Sequence, residues 1–284
     1  MSLPSRAGVI GGGRMGSGIA HAFLLAGCEV CVVERDGEAA DAAKAAVERA
    51  LAESARRGAL EDDAVVAKRL QVSTDHADLV GCGLVVEAVP ENQLLKVEAL
   101  RRAEDVLEPD AVLATNTSSI SVHLIAEDLR VPKRLLGLHF FNPVPASRLV
   151  EVVIGPETDP ALAEAAPGWV EALGKTPVVV KDSPGFASSR LGVVLGLEAI
   201  RMLEEGVASA EDIDAAMALG YGHPVGPLRL TDLVGLDVRL GIARFLHETL
   251  GERFRPPALL VEMVERGDLG RKTGQGFYRW DEET

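Results

Sequence analysis

Cysteine is scarce in this chain, long apolar runs are absent, and positive charge is in the minority. The three cysteines, Cys28, Cys31 and Cys82, are an odd count without metal-ligand spacing, in or beside apolar stretches. That excludes a disulfide framework or a cysteine metal centre and predicts small core residues. No apolar segment reaches the length of a membrane span, and the first residues run into a strand without a signal-like apolar region, so a cytoplasmic protein is expected. Lys and Arg together number 29 against 43 Asp and Glu, a formal charge of -14. Such a balance argues against nonspecific binding to nucleic acid or an anionic membrane, while leaving room for a local basic pocket. Repeats and low-complexity segments are also missing.

What is present is a hydrophobic fraction of 47% over 284 residues, enough for a large domain with a smaller companion. Apolar strands are expected at 7–10, 29–33, 84–89, 111–115, 135–141, 149–154 and 176–181, alternating with helical stretches. Ser183-Pro184-Gly185 punctuates the chain, and the pattern beyond it is helical throughout, at 186–205, 209–219, 231–250 and 257–266. The expected architecture is therefore α/β, a Rossmann-like doubly wound sheet domain over 1–183 followed by an all-α domain over 184–284. In the helix after Phe186, Leu191, Val194 and Leu195 form one apolar face while Val193, Leu197 and Ile200 form another. Two faces are more than one small helical unit needs, so burial against other structure or a second subunit is implied.

The first strand runs into Gly11-Gly12-Gly13-Arg14-Met15-Gly16 and then a helix. Gly11 permits the tight turn, Gly13 lets backbone approach a pyrophosphate, and Gly16 lets helix pack close to strand. The second strand ends at Glu34, where an acid receives the adenosine ribose hydroxyls, and the whole arrangement predicts NAD. The segment from about 38 to 69 reads as helical and bears Arg56, Arg57, Lys68 and Arg69. It is either a projecting basic arm or an ordinary solvated face. Glu34, Glu91, Asn116 and Ser118 all fall at carboxyl ends of strands, the rim where doubly wound sheets bind ligands, and Lys96 lies in the helix after Glu91.

The stretch GLHFFNPVPASRLVE, from Gly137 to Glu151, places His139 near the end of one strand and Glu151 near the start of the next. Neighbouring strands would bring imidazole and carboxylate together. A carboxylate on one ring nitrogen fixes the tautomer and leaves the other nitrogen as a general base.

Taken together, GVIGGGRMGSGIA, VVEAVPEN, NTSS, GLHFFNPVP with LVEVV, KDSPGF, GHPVGPLRLTDLVGLD and GRKTGQGFY resemble the L-3-hydroxyacyl-CoA dehydrogenases, 3-hydroxybutyryl-CoA dehydrogenases among them, in order, in spacing and over essentially the whole chain. The resemblance implies an NAD-dependent oxidation of a 3-hydroxyacyl-CoA in fatty acid metabolism, with a homodimer formed through the helical domain. It implies His139 as catalytic base with Glu151 as its partner, Ser118 and Asn142 at the substrate oxygen and nicotinamide, and Glu91 and Lys96 on the cofactor side. Arg57 falls where the family places a basic residue for CoA. One position departs from the pattern: Ser189 stands where the family has an asparagine that helps bind the substrate carbonyl. Two other readings remain compatible with the fold. One is a dehydrogenase of a hydroxy acid without CoA, of the carnitine or gulonate type, and the other a dinucleotide-binding relative without turnover.

Overall fold

The computed structural model describes residues 2–280. Its residues separate into two compact units, Met1–Ser183 and Pro184–Thr284.

The first unit is an eight-stranded sheet in the order β3-β2-β1-β4-β5-β6-β7-β8. The strands are β1 Arg6–Ile10, β2 Glu29–Val33, β3 Leu70–Ser73, β4 Leu84–Glu87, β5 Val112–Thr115, β6 Leu135–Phe140, β7 Leu149–Ile154 and β8 Thr176–Lys181. All neighbours pair in parallel except β6 with β7. Central strands β1, β4 and β5 are near-continuous apolar runs because helices cover both faces of a parallel sheet. The helices of this unit are α1 Arg14–Leu25, α2 Gly37–Arg56, α3 Asp63–Ala67, α4 Gln93–Glu104, α5 Val122–Ala126 and α6 Pro160–Ala172. The three cysteines are buried and unbonded to one another, and burial pushes the Cys31 thiol up to about 12.

Two expectations about this unit change. Strand β3, at the edge beyond β2, is an element the sequence reading did not expect, and the helix expected over 61–69 just before it is shorter, Asp63–Ala67. Its four residues alternate Leu70, Gln71, Val72, Ser73, too short a pattern to compete with helix formers upstream. The arm also does not stand away from the body: Ala43, Val47 and Leu51 of α2 are buried in the main core, and His21 of α1 lies 2.8 Å from Ser54 Oγ through Nε2.

The second unit is helical, with α7 Ser188–Glu204, α8 Ala210–Tyr221, α9 Pro227–Val234, α10 Leu236–Leu250 and α11 Ala258–Arg266. The helix expected over 231–250 is two helices, because Gly235 adopts φ 103, backbone that a helix cannot contain. The C-terminal GRKTGQGFY segment is pinned by two buried acids. Asp232 accepts from the backbone N–H groups of Phe277 and Tyr278, and Asp214 from the Tyr278 hydroxyl. On α7, Val193, Leu197 and Ile200 are fully buried in this unit's core, whereas Leu191 and Leu195 are 61% and 43% exposed.

Candidate active site

The glycine turn between β1 and α1 has the geometry that phosphate binding needs. Gly11 takes φ 88, and a Cβ at Gly16 would stand 1.7 Å from the Gly11 carbonyl oxygen, so a side chain there is incompatible with the turn. A Cβ at Gly13 would meet nothing within 4 Å. Helix α1 begins at Arg14 without a side-chain cap or an acid in its first turn, leaving its first N–H groups available to an anion. At the end of β2, Glu34 Oε1 accepts from the Gly12 N–H at 2.6 Å and Oε2 from the Arg35 N–H at 3.1 Å. The carboxylate is thus fixed beside the turn. Arg35 is tied to Asp36, the cap of α2, at 2.9 Å.

Antiparallel pairing of β6 and β7 sets His139 directly opposite Glu151. Opposed residues of an antiparallel pair project to the same face with neighbouring Cβ atoms, so the two side chains meet without any distortion. His139 Nδ1 lies 2.8 Å from Glu151 Oε2, with the histidine 6% and the glutamate 0% exposed. The Phe141 ring packs against the imidazole, centroids 4.4 Å apart. A carboxylate only accepts, so Nδ1 carries the proton and Nε2 is the nitrogen for proton exchange. Asn142 lies three residues after His139 in the β6–β7 connection, exposed. Asn116 at the end of β5 receives the Phe140 N–H on Oδ1 at 2.8 Å, anchoring the strand next to His139 and leaving its NH2 as the donor for a ligand.

Beside it lies a chain of charged and hydroxyl groups, of which Glu87, Thr117 and Ser119 are not singled out by the sequence. Lys96 on α4 is buried, and its Nζ donates to Glu87 Oε1 and Oε2 at 2.9 and 3.2 Å and to the Val89 carbonyl at 3.2 Å. Glu91 Oε2 is 3.2 Å away. The ammonium is fully engaged by the protein, and Glu91 is among its partners. Glu91 Oε1 in turn accepts from the hydroxyls of Thr117, Ser118 and Ser119 and from the backbone N–H groups of Ser118 and Ser119. Burial raises the Glu91 carboxyl, but Lys96 and the donors from Thr117 and Ser118 outweigh it and hold the group below its ordinary value. Glu87 goes the other way. Burial raises its carboxyl despite Lys96, the Thr115 hydroxyl and the Val89 N–H. The signal for Glu87 was available: it is an acid closing an apolar strand, Leu84-Val85-Val86-Glu87, in a wholly buried position.

Among the other sequence candidates, Arg57 sits just past α2, exposed, with Nε 2.6 Å from Glu53 Oε1. Ser189 belongs to the second unit, in the first turn of α7 and half-buried.

A family model of the 3-hydroxyacyl-CoA dehydrogenase NAD binding domain matches residues 6–183, and the model of that family's C-terminal domain matches residues 185–280. The chain belongs to the 3-hydroxyacyl-CoA dehydrogenase family. Its first unit is the NAD-binding domain, and the glycine turn, uncapped α1 and fixed Glu34 fit that dinucleotide. A probable 3-hydroxybutyryl-CoA dehydrogenase of Deinococcus radiodurans is 42% identical over 275 residues, covering 96% of this chain and 99% of the relative. The mitochondrial hydroxyacyl-coenzyme A dehydrogenase of Homo sapiens is 41% identical, over 96% of this chain and 90% of the relative. The crystal structure of the (S)-3-hydroxybutyryl-CoA dehydrogenase of Ralstonia eutropha superposes with a TM-score of 0.93 at 39% identity, covering 98% of this chain and 100% of the other. No helix among the described residues of this dehydrogenase is long and apolar enough to cross a membrane.

Proposed function

We propose that the chain oxidises L-3-hydroxyacyl-CoA reversibly to 3-ketoacyl-CoA, with short acyl chains of the hydroxybutyryl type among its substrates. The single observation that supports this reading most is the buried His139–Glu151 pair at 2.8 Å in a family whose members carry that name. His139 takes the hydroxyl proton on Nε2, and Glu151 stabilises the imidazolium that forms. NAD, when bound, accepts the hydride from C3. Ser118, Asn142 and Ser189 donate to the substrate oxygens, where negative charge develops. The Ser118 hydroxyl donates to Glu91 here at 3.2 Å, on an oxygen with four other donors, so it can be released at small cost. Glu91 shapes the loop beneath the nicotinamide side, and Arg57 exchanges its exposed pairing with Glu53 for a phosphate of CoA. The helical unit pairs with a second copy through the apolar side chains it leaves exposed, Leu191 and Leu195 on α7 with Leu230, Val234 and Val238.

A spectrophotometric assay of NADH oxidation with acetoacetyl-CoA, beside free acetoacetate, tests the assignment. Turnover confined to the thioester is the expected result. Turnover of free acetoacetate alone would point to a hydroxy acid without CoA, and none on either to a relative that binds the dinucleotide without chemistry.

Cofactor choice follows from Glu34, whose carboxylate is fixed beside the turn and would face a 2'-phosphate at close range. The kcat/KM for NADH should exceed that for NADPH by about tenfold or more, and Glu34→Gln should narrow the gap by removing the repulsion. A parent that prefers NADPH would mean Arg35 governs the pocket.

Ser189 offers a shorter donor than asparagine, which leaves the thioester carbonyl less well held. Ser189→Asn is accordingly expected to raise kcat/KM on acetoacetyl-CoA by about tenfold. Identical kinetics in the two proteins would remove Ser189 from the site.

A further inference from the structure

Arg239 on α10 is 5% exposed, yet among the described residues no hydrogen bond or ion pair is made to its guanidinium. It sits within the apolar face of its own helix, between Leu236, Leu240 and Ala243, all buried. The nearby acids of α9 and α10 are committed elsewhere, Asp232 to Phe277, Tyr278 and Trp280 and Asp237 to Lys272. Burial alone lowers the guanidinium, to about 10, so it keeps its charge at neutral pH. An isolated buried charge is costly, and a carboxylate in bidentate contact is the partner whose planar fork matches it.

The side chain has a direction. A Cβ at Gly196 of α7 would be 3.7 Å from Nε and 4.0 Å from Cδ, and a Cβ at Gly192 would be 3.2 Å from Nη1. The guanidinium therefore runs along α7 from Gly196 toward Gly192, that is, toward the start of the helix. Apart from the glycine's chain neighbours and the backbone of α7, Nη1 is also the one atom of the described residues within 4 Å of that Gly192 position, so the space above the glycine is open but for the guanidinium. Residues 189, 192 and 196 share one face of a helix, and Ser189 lies about one turn beyond Gly192. The space over Gly196 is taken by Arg239 and by Thr231 Oγ1, 3.1 Å from a Cβ there, so the trough on α7 is the room over Gly192, which opens toward Ser189 and has the tip of Arg239 along it.

We propose that Arg239 is a specificity residue that binds a carboxylate at the far end of the acyl chain, so that the chain acts on dicarboxylic 3-hydroxyacyl thioesters. This rests on the dehydrogenase reading, which puts Ser189 at the thioester carbonyl. From there the acyl chain follows the trough over Gly192, and its terminal carboxylate meets Nη1 and its neighbours. The reaction is unchanged: C3 gains a hydride from NADH and its oxygen a proton through His139 in the reducing direction, while the carboxylate takes no part.

The test compares 3-oxoadipyl-CoA with 3-oxohexanoyl-CoA, which has the same chain without the carboxylate, using NADH and the full-length protein. The kcat/KM ratio is expected to favour the dicarboxylic substrate by about ten- to hundredfold, the range for a charge-assisted contact, and to fall to about one or below in Arg239→Met. Arg239→Lys, which keeps the charge and loses the fork, should fall between. Gly192→Ala, which crowds Nη1, should lower the ratio without touching the charge. A parent ratio near one overturns the proposal without needing any variant. So does a ratio that survives in Arg239→Met, or an Arg239→Met protein whose main change is in the mass of its assembly, which would assign the counter-charge to a second copy. Absence of turnover on acetoacetyl-CoA would instead overturn the dehydrogenase reading, so the two failures are distinct.

Discussion

His139→Gln is expected to lower kcat by about a hundredfold to ten-thousandfold, the range for loss of a general base, while NADH affinity stays within about twofold. Glutamine keeps the polarity and much of the volume of the imidazole but cannot carry the proton. The two effects separate because His139 is held by β7, through Glu151, whereas the glycine turn and Glu34, the proposed dinucleotide site, lie at other strand ends. Glu151→Gln should show a smaller loss, since an amide can still receive Nδ1–H but gives the imidazolium no counter-charge. Steady-state kinetics on acetoacetyl-CoA with a fluorescence titration of NADH decide it. A kcat within about threefold of the parent in His139→Gln would sink the assignment of the base.

The largest expected effect on stability comes from Lys96→Met. Glu87 is 0% exposed and Lys96 1%, and removing the ammonium leaves a carboxylate under apolar cover with only the Thr115 hydroxyl and the Val89 N–H as donors. Breaking a buried pair from one side costs about 3 to 5 kcal/mol. The pH dependence has a definite sign. Burial already raises the Glu87 carboxyl in the folded protein, and without Lys96 it rises further. A raised folded value means that the folded state takes up the proton first, so the deficit is full at neutral pH and shrinks as pH falls through that value toward the ordinary carboxylate range. Urea unfolding of the parent and the variant at several pH values reads both the size and the trend. A loss below about 1 kcal/mol, or one that does not shrink on acidification, would show that the pair is not what holds this rim. Glu87→Gln in the Lys96→Met background should restore part of the loss, because the unpaired charge is gone.

The same two pairs show what was legible beforehand. His139 and Glu151 are twelve positions apart in sequence, on two strands whose ends were read almost to the residue, and only their direct opposition awaited the register. The Lys96 ammonium was harder, because a lysine on a helix after a strand reads equally as a ligand contact or as a buried partner. Nothing in its neighbours on α4 tells which. Glu87 and Arg239 were passed over for a common reason: a single charged residue inside an apolar pattern looks like an interruption of that pattern, and its meaning depends on whether a partner arrives from elsewhere. For Glu87 one does, from nine residues along the chain. For Arg239 none does among the described residues. The break at Gly235 was missed because glycine is tolerated inside a helix as well as at its end, and φ decides between them.

By itself the sequence determined the elements and the dinucleotide turn, since both depend on interactions between residues close along the chain: apolar periodicity, helix starts, and glycines whose missing side chains admit backbone or phosphate. Family membership was also legible, because spaced motifs are a property of the chain alone. The tertiary structure decided which charges are paired. Coulombic and hydrogen-bond energies depend on distances of a few ångströms and on burial, and both are set by strand order and helix packing between segments far apart in sequence. That is why Glu151 became the partner of His139, Lys96 a support for Glu91, and Arg239 a buried cation facing the open space above Gly192.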